Sequence, residues 1–264
     1  MNYVKGKVII ITGASSGIGF EVMKRLAADK SNTILAVARR VQKLEGLADN
    51  IIPFSADVSG KEGIDAVFEK ATEVFGTIDI FYANAGTPYY ELYDYEDWDR
   101  LKAIFDLNTL SPIYSYAKYI HHLDGKPGHM VYTISAIGEM AMPGFALYAA
   151  SKFGLNGFQQ GIRLEMPKNL KITSIYPVST KTNFAKVAGE GEVVDMPSPV
   201  QAVEEVADAV VDGISKGKES VYPCKVYLPS KFVFTISKAA RASYWKKEGK
   251  KFEKFLKIKA KNKA

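Results

Sequence analysis

Short, uninterrupted apolar runs recur along this chain, and a stretch of helical character separates each from the next. The first is Val8-Ile9-Ile10-Ile11. A run without polar alternation is what a strand covered on both faces requires, and parallel sheets are covered in that way. Residues 33–38, 51–55, 78–83, 129–135 and 171–176 repeat the pattern, and 220–222 reads as a short last strand. Residues 20–28, 42–48, 61–75, 98–122, 148–166 and 199–216 read as helices. In 61–75 the apolar positions Ile64, Val67, Phe68, Ala71 and Phe75 fall on one helical face. Strict β-α alternation predicts an α/β fold with a doubly wound, Rossmann-like parallel sheet, whose ligands sit beyond the carboxyl ends of the strands.

Composition narrows the class. The chain has 264 residues, 47% hydrophobic and 24% charged, which suits one sizeable core. No Pro/Gly/Ser-rich linker or internal repeat divides it. A single cysteine, Cys224, excludes an intramolecular disulfide, and no Asn-x-Ser/Thr sequon occurs. The first apolar run is too short for a secretory signal, so a cytoplasmic location is expected. Net charge is +6, but residues 231–264 carry eleven Lys and one Arg against Glu248 and Glu253, a local +10 that leaves −4 for the rest. The basicity belongs to the tail, and nothing supports a nucleic-acid partner for the main body.

Between the first strand and first helix lies Thr12-Gly13-Ala14-Ser15-Ser16-Gly17-Ile18-Gly19. Gly13 permits a tight turn, Gly17 lets backbone approach a pyrophosphate, and Gly19 allows close helix-sheet packing. The helix N-terminus behind it offers free N–H groups to phosphate. The spacing departs from G-x-G-x-x-G and resembles the T-G-x-x-x-G-x-G of the short-chain dehydrogenase/reductase family. The resemblance runs in family order from about residue 7 to 222.

That resemblance implies roles. Gly13, Ser15, Ser16, Gly17, Ile18 and Gly19 would form the phosphate turn, with Asp57 and Val58 at the adenine. Asn84-Ala85-Gly86 would support the central sheet and line the nicotinamide side, with Ala83 where the commoner form has a second Asn. Pro177 and Thr182 would hold the carboxamide and phosphate, and Val178 stands in place of the usual Gly. Asn108, Ser135, Tyr148 and Lys152 fall at the catalytic positions, and the resemblance gives Asn108 a water linking Lys152 to solvent.

The residues themselves support this chemistry. Tyr148 and Lys152 are i and i+4 on one helix, hence on one face. A nearby ammonium favours tyrosinate, so Lys152 is expected to bring the Tyr148 pKa down from near 10 towards a working range. Ser135 can hydrogen-bond a substrate oxygen, and the family resemblance implies that Tyr148 and Lys152 also touch the cofactor. No metal is called for, and His121, His122 and His129 form no ligand set.

After the second strand comes Ala38-Arg39-Arg40. An acid there would bond an adenosine 2′-hydroxyl and repel a 2′-phosphate, whereas Arg39 can pair a phosphate. NADP(H) is the expected cofactor, with NAD(H) the alternative. Tyr89, Tyr90, Tyr93, Met140, Met142, Phe145 and Phe184 suggest an apolar wall for a carbonyl or alcohol substrate. The long connection 182–199, with Gly189 and Gly191, reads as a lid. The competing reading is a non-catalytic dinucleotide sensor or scaffold, which would not need Ser135, Tyr148 and Lys152 together. An epimerase or dehydratase needs a larger substrate domain than the residues after Tyr222 allow.

We divide the chain into a Rossmann-type domain, 1–229, and a basic C-terminal helical extension, 230–264. In the extension Phe232, Val233, Ile236, Ala240 and Tyr244 recur near helical spacing, and Gly249 marks an expected break. Such a stretch can lie on an anionic membrane as a peripheral contact, or pack on the domain. Apolar faces in 101–119 and 153–164 suit a helix-paired homo-oligomer.

Overall fold

The computed structural model describes residues 4–263. Its centre is a seven-stranded, wholly parallel sheet built from β1 (Val8–Thr12), β2 (Thr33–Ala38), β3 (Ile51–Ser55), β4 (Ile80–Ala83), β5 (Gly128–Thr133), β6 (Leu170–Ile175) and a two-residue edge strand, Ser220–Val221. The spatial order is β3-β2-β1-β4-β5-β6 and then the edge strand. The order reverses beside β1, so a crevice opens between the carboxyl ends of β1 and β4. Neighbouring strands run in register, with Ile10 opposite Leu35 on one side and Phe81 on the other.

The unbroken apolar strands follow from two buried faces. Ile9 and Ile11 point into a layer with Val22, Met23 and Leu26 of α1 (Gly17–Ala27) and with Val206, Val210 and Ile214 of a later helix, Val203–Lys216. Ile10 points the other way, against Ile64, Val67 and Phe68 of α2 (Lys61–Phe75) and Leu155 of another later helix, Ala146–Ile162. Period-2 geometry thus delivers alternate residues of one strand to two helical layers.

Several expectations are corrected. Residues 42–48 form turns rather than a helix, because Gly46 takes φ +68° in a seven-residue stretch that closes with Leu44 N–H donating to Val41 O at 2.7 Å. The expected helix 98–122 is interrupted. It comprises α3 (Trp98–Phe105), a π-turn over Asp106–Leu110, and α4 (Ser111–Leu123). Pro112 has no N–H, so in α-helical register the Asn108 carbonyl would lack its donor. The wider turn, with Ser111 N–H bonding Asp106 O, re-routes the ladder.

After α5 (Ala146–Ile162), residues 199–202 are not helical. Ser179–Thr180 (β7) pairs with Val200–Gln201 (β8), with α6 (Phe184–Ala188) between them; α7 (Val203–Lys216) then leads to Ser220–Val221 (β9). Residues 229 and 230 both lie within α8 (Tyr227–Ile236). The chain turns at extended Ser237, and α9 (Lys238–Lys263) runs straight through Gly249. One helical glycine costs only about 1 kcal/mol, less than its packed neighbours supply. Phe252, Phe255 and Leu256 of α9 join Tyr90, Ile104, Phe145 and Tyr148 in a third apolar cluster at the carboxyl end of the sheet. No described helix is long and apolar enough to cross a membrane.

Candidate active site

A cavity of about 930 Å³ runs along the carboxyl ends of the strands. One end is formed by Gly13, Ser15, Ser16, Gly17 and Ile18, with Arg39, Asp57 and Val58 beside them. Asn84, Ala85 and Gly86 line its middle, Ser135, Tyr148, Lys152 and Pro177 its far part, and Thr182 faces Gly17 across the near end. Of the expected site residues only Gly19 and Asn108 lie behind the wall instead of on it.

The turn is a backbone cradle. Gly13 has φ +68°, and a Cβ there would lie 2.9 Å from Ala85 Cα. A Cβ on Gly19 would stand 2.3 Å from Asn84 Nδ2. Across the mouth, Thr182 Cγ2 lies 3.5 Å from where a Gly17 Cβ would be. Asn84 fastens three strands: Nδ2 donates to Thr12 O at 3.1 Å, and Oδ1 accepts from Thr133 Oγ1 at 3.0 Å. Thr12 Oγ1 accepts from the Asn84 and Ala85 N–H groups, both at 3.1 Å. Thr12 was not among the expected site residues, although it begins the glycine-rich turn.

Asp57 Oδ1 accepts from Ser59 N–H at 3.0 Å and Ser59 Oγ at 2.8 Å. The Ser59 N–H contributes most to holding its carboxyl below the ordinary aspartate value, and Arg39 adds to this. Val178 is not among the positive-φ residues, so the loop after β6 needs no glycine there. The residues present therefore fit an extended dinucleotide: a phosphate turn with bare backbone at Gly13 and Gly17, an adenine end with a cation, and a deep far end.

At that far end Tyr148 and Lys152 rise from the first turns of α5, 6% and 3% exposed. Lys152 Nζ donates to Thr133 O at 3.0 Å and lies 6.0 Å from the Tyr148 ring centroid. Burial lowers the Lys152 pKa to about 8. The expected lowering of Tyr148 is not what this geometry gives. Burial raises its pKa well above the ordinary tyrosine value, and only the Ser135 hydroxyl acts in the other direction. Lys152 is turned to the Thr133 carbonyl and does not offset the burial of the neutral phenol.

Ser135 has φ +101°, a backbone conformation that side-chain-bearing residues rarely adopt. It is held by its N–H bond to Ile175 O at 3.2 Å, and its Oγ accepts from Ile137 N–H at 3.3 Å. Asn108, 0% exposed in the π-turn, spends its amide on structure. Its Nδ2 donates to Thr87 O at 2.9 Å and Ser151 Oγ at 3.0 Å, while Oδ1 accepts from Thr87 N–H at 2.9 Å. That ties the π-turn to the segment after Gly86 and to α5 at Ser151, the residue before Lys152.

The substrate side is also lined by Tyr89, Met140, Met142, Phe145 and Phe184, as expected. Tyr90 instead sits in the core, its ring 4.8 Å from that of Phe255, and Tyr93 lies outside at 49% exposure. Tyr227, Ser230, Lys231 and Phe234 of α8 and Tyr244 of α9, which no local pattern marks as site residues, complete the wall. Only the fold-back of the tail brings them there.

Comparison with known proteins agrees with this architecture. Residues 7–193 match the family model for short chain dehydrogenases. This chain belongs to the short-chain dehydrogenase/reductase family. The enzyme class that comes with membership is a nicotinamide-dependent dehydrogenase acting on CH–OH groups. Among curated relatives it is 28% identical over 263 residues to the oxidoreductase SadH of Mycobacterium tuberculosis, covering 92% of this chain and 94% of SadH. It is 30% identical to the oxidoreductase YxnA of Bacillus subtilis, covering 83% of this chain and 65% of YxnA. It is also 30% identical to the glycine betaine reductase ATRR of Emericella nidulans over 79% of this chain, but spans only 17% of that longer protein. A Burkholderia cenocepacia short chain dehydrogenase in complex with NADP superposes with a TM-score of 0.77 at 21% identity, covering 90% of this chain and 97% of that one. A Burkholderia phymatum short chain dehydrogenase/reductase in complex with NAD does so with 0.77 at 18% identity, covering 88% and 94%. These two share the fold.

Proposed function

We propose that the protein is an NADP(H)-dependent oxidoreductase interconverting a carbonyl and an alcohol on a hydrophobic substrate, with Tyr148 as general acid/base. The convergence of Ser135, Tyr148 and Lys152 at the buried end of one continuous cavity carries this reading. When bound, the nicotinamide supplies or accepts hydride. For reduction the phenol of Tyr148, kept protonated by burial, donates its proton to the substrate oxygen while the Ser135 hydroxyl donates a hydrogen bond to the same atom. Lys152, held by Thr133 O, places positive charge behind the tyrosinate that results, and Asn108 fixes the helix that carries it. Oxidation uses the same groups in reverse.

The preference for NADP(H) over NAD(H) rests on Ala38 and on Arg39 beside Asp57 at the cavity's adenine end. Equal affinity for NADH and NADPH in a titration of the wild type would remove it. In this reading residues 1–229 hold the chemistry, 230–264 together with Tyr227 complete the substrate wall, and the protein works in the cytoplasm. Exposed Leu110, Phe153 and Leu164 around α4 and α5 suit a paired homo-oligomer. The decisive experiment is Tyr148→Phe: NADPH binding unchanged and turnover down by about a thousandfold on a panel of aldehydes and ketones. Turnover near the wild-type rate would reject the mechanism.

A further inference from the structure

Helix α8 carries apolar side chains on both of its sides. Tyr227, Ser230, Lys231 and Phe234, spaced i, i+3, i+4 and i+7, line the cavity. Its polar Ser230 and Lys231 therefore face inward, and Lys231 pairs with the Glu139 carboxylate at 2.7 Å. The opposite side carries Leu228, Phe232, Val233 and Ile236, exposed by 47, 66, 44 and 68%. A helix that only walls a soluble domain turns its apolar stripe to the core. Here a continuous apolar stripe faces outward, which marks a surface built for a partner.

Charge selects the partner. Exposed Lys225 and Lys238 bracket the stripe; of the net +10 in residues 231–264, Lys231, Lys251 and Lys259 are taken up in ion pairs with Glu139, Asp195 and Glu190, which leaves the exposed lysines of α9 to present the charge. Along α9 the apolar side of Tyr244, Phe252 and Phe255 turns inward, while Lys246, Lys247, Lys250 and Lys254 are exposed. A second copy of the chain placed on this stripe about a two-fold axis would bring two strongly basic tails together. An anionic phospholipid surface instead accepts the apolar side chains among its acyl chains and the lysines among its headgroups. We infer that the outer face of α8 docks on an anionic phospholipid bilayer, with the substrate cavity one helix beneath the membrane surface.

The docking is independent of the chemistry proposed above, and its test needs no turnover. Full-length protein is sedimented with vesicles of phosphatidylcholine alone and of phosphatidylcholine mixed with phosphatidylglycerol. The wild type should sediment with the anionic vesicles, more weakly with the neutral ones, and less as salt is raised. Phe232→Glu/Ile236→Glu should lower partitioning about tenfold or more, since it removes two apolar side chains that the bilayer would bury and adds charge of the same sign as the lipid. Lys246→Glu/Lys250→Glu should weaken only the anionic-vesicle binding. NADPH affinity, unchanged in both variants, shows that they fold. No sedimentation of the wild type, or equal sedimentation of wild type and Phe232→Glu/Ile236→Glu, overturns the inference. So does light scattering that finds a wild-type dimer which the same variant converts to monomer, because α8 would then be covered by a second copy.

Discussion

His129 lies at the start of β5, 8% exposed, with Nε2 2.7 Å from Thr173 Oγ1. Thr173 gives its own proton to Lys218 O at 2.6 Å, so the His129 Nε2–H is the donor between them. Burial lowers the histidine pKa to about 4, and Lys171 adds to the effect. Because the folded value lies below the unfolded one, the unfolded chain takes up the proton first as pH falls. Stability is full above about pH 6.5 and falls by about 3 kcal/mol by pH 4. Urea unfolding across that range should show the loss in wild type and a flatter profile in His129→Gln; parallel profiles would assign the acid sensitivity elsewhere. At this scale the sequence was informative about identity and silent about conformation. Ser135, Tyr148 and Lys152 could be picked out by spacing, but neither the φ of +101° at Ser135 nor the Lys152 bond to Thr133 O is written in a local pattern. Both depend on where β5, β6 and α5 meet.

Elements were legible where one local rule governed them. The strands could be read because two buried faces demand unbroken apolar runs. The π-turn was missed although Pro112 announced it, since a missing N–H within a helix must be compensated somewhere in the ladder. Residues 42–48 were misread because helical composition outweighed Gly46 in so short a segment. The glycine-rich turn shows how tightly elements constrain one another. Gly19 of α1 abuts the Asn84 amide and the Gly13 carbonyl, with room for no methyl group. Gly19→Ala should push α1 off the end of β4, costing about 2 kcal/mol of stability and weakening NADPH binding about tenfold. Calorimetry and fluorescence titration read the two effects. A variant as stable and as tight as wild type would mean the turn gives way easily.

At the scale of the whole molecule, the fold-back of α8 and α9 was beyond sequence reading. The helical spacing of the tail was visible, yet nothing local says that Phe255 ends 2% exposed against Tyr90, or that Lys251 Nζ reaches Met196 O at 3.0 Å. Those contacts hold α9 across the segment before β8. Phe255→Ala should destabilise the protein by about 3 kcal/mol in urea unfolding. If Phe255 also supports the substrate wall, KM for an apolar substrate should rise while the NADPH dissociation constant stays constant. Equal changes in both would mean that α9 braces the entire cavity.

The phosphate turn, the Ser135/Tyr148/Lys152 group and the sheet that aligns them come from residues 8–221, whereas much of the wall facing them comes from 227–244. In hereditary terms these are separate loci of variation. A substitution or recombination in the later stretch can change which molecules are admitted without disturbing how they are transformed. Selection can thus explore new diets for one inherited reaction, and divergence between lineages is expected to accumulate faster in the tail than in the strands.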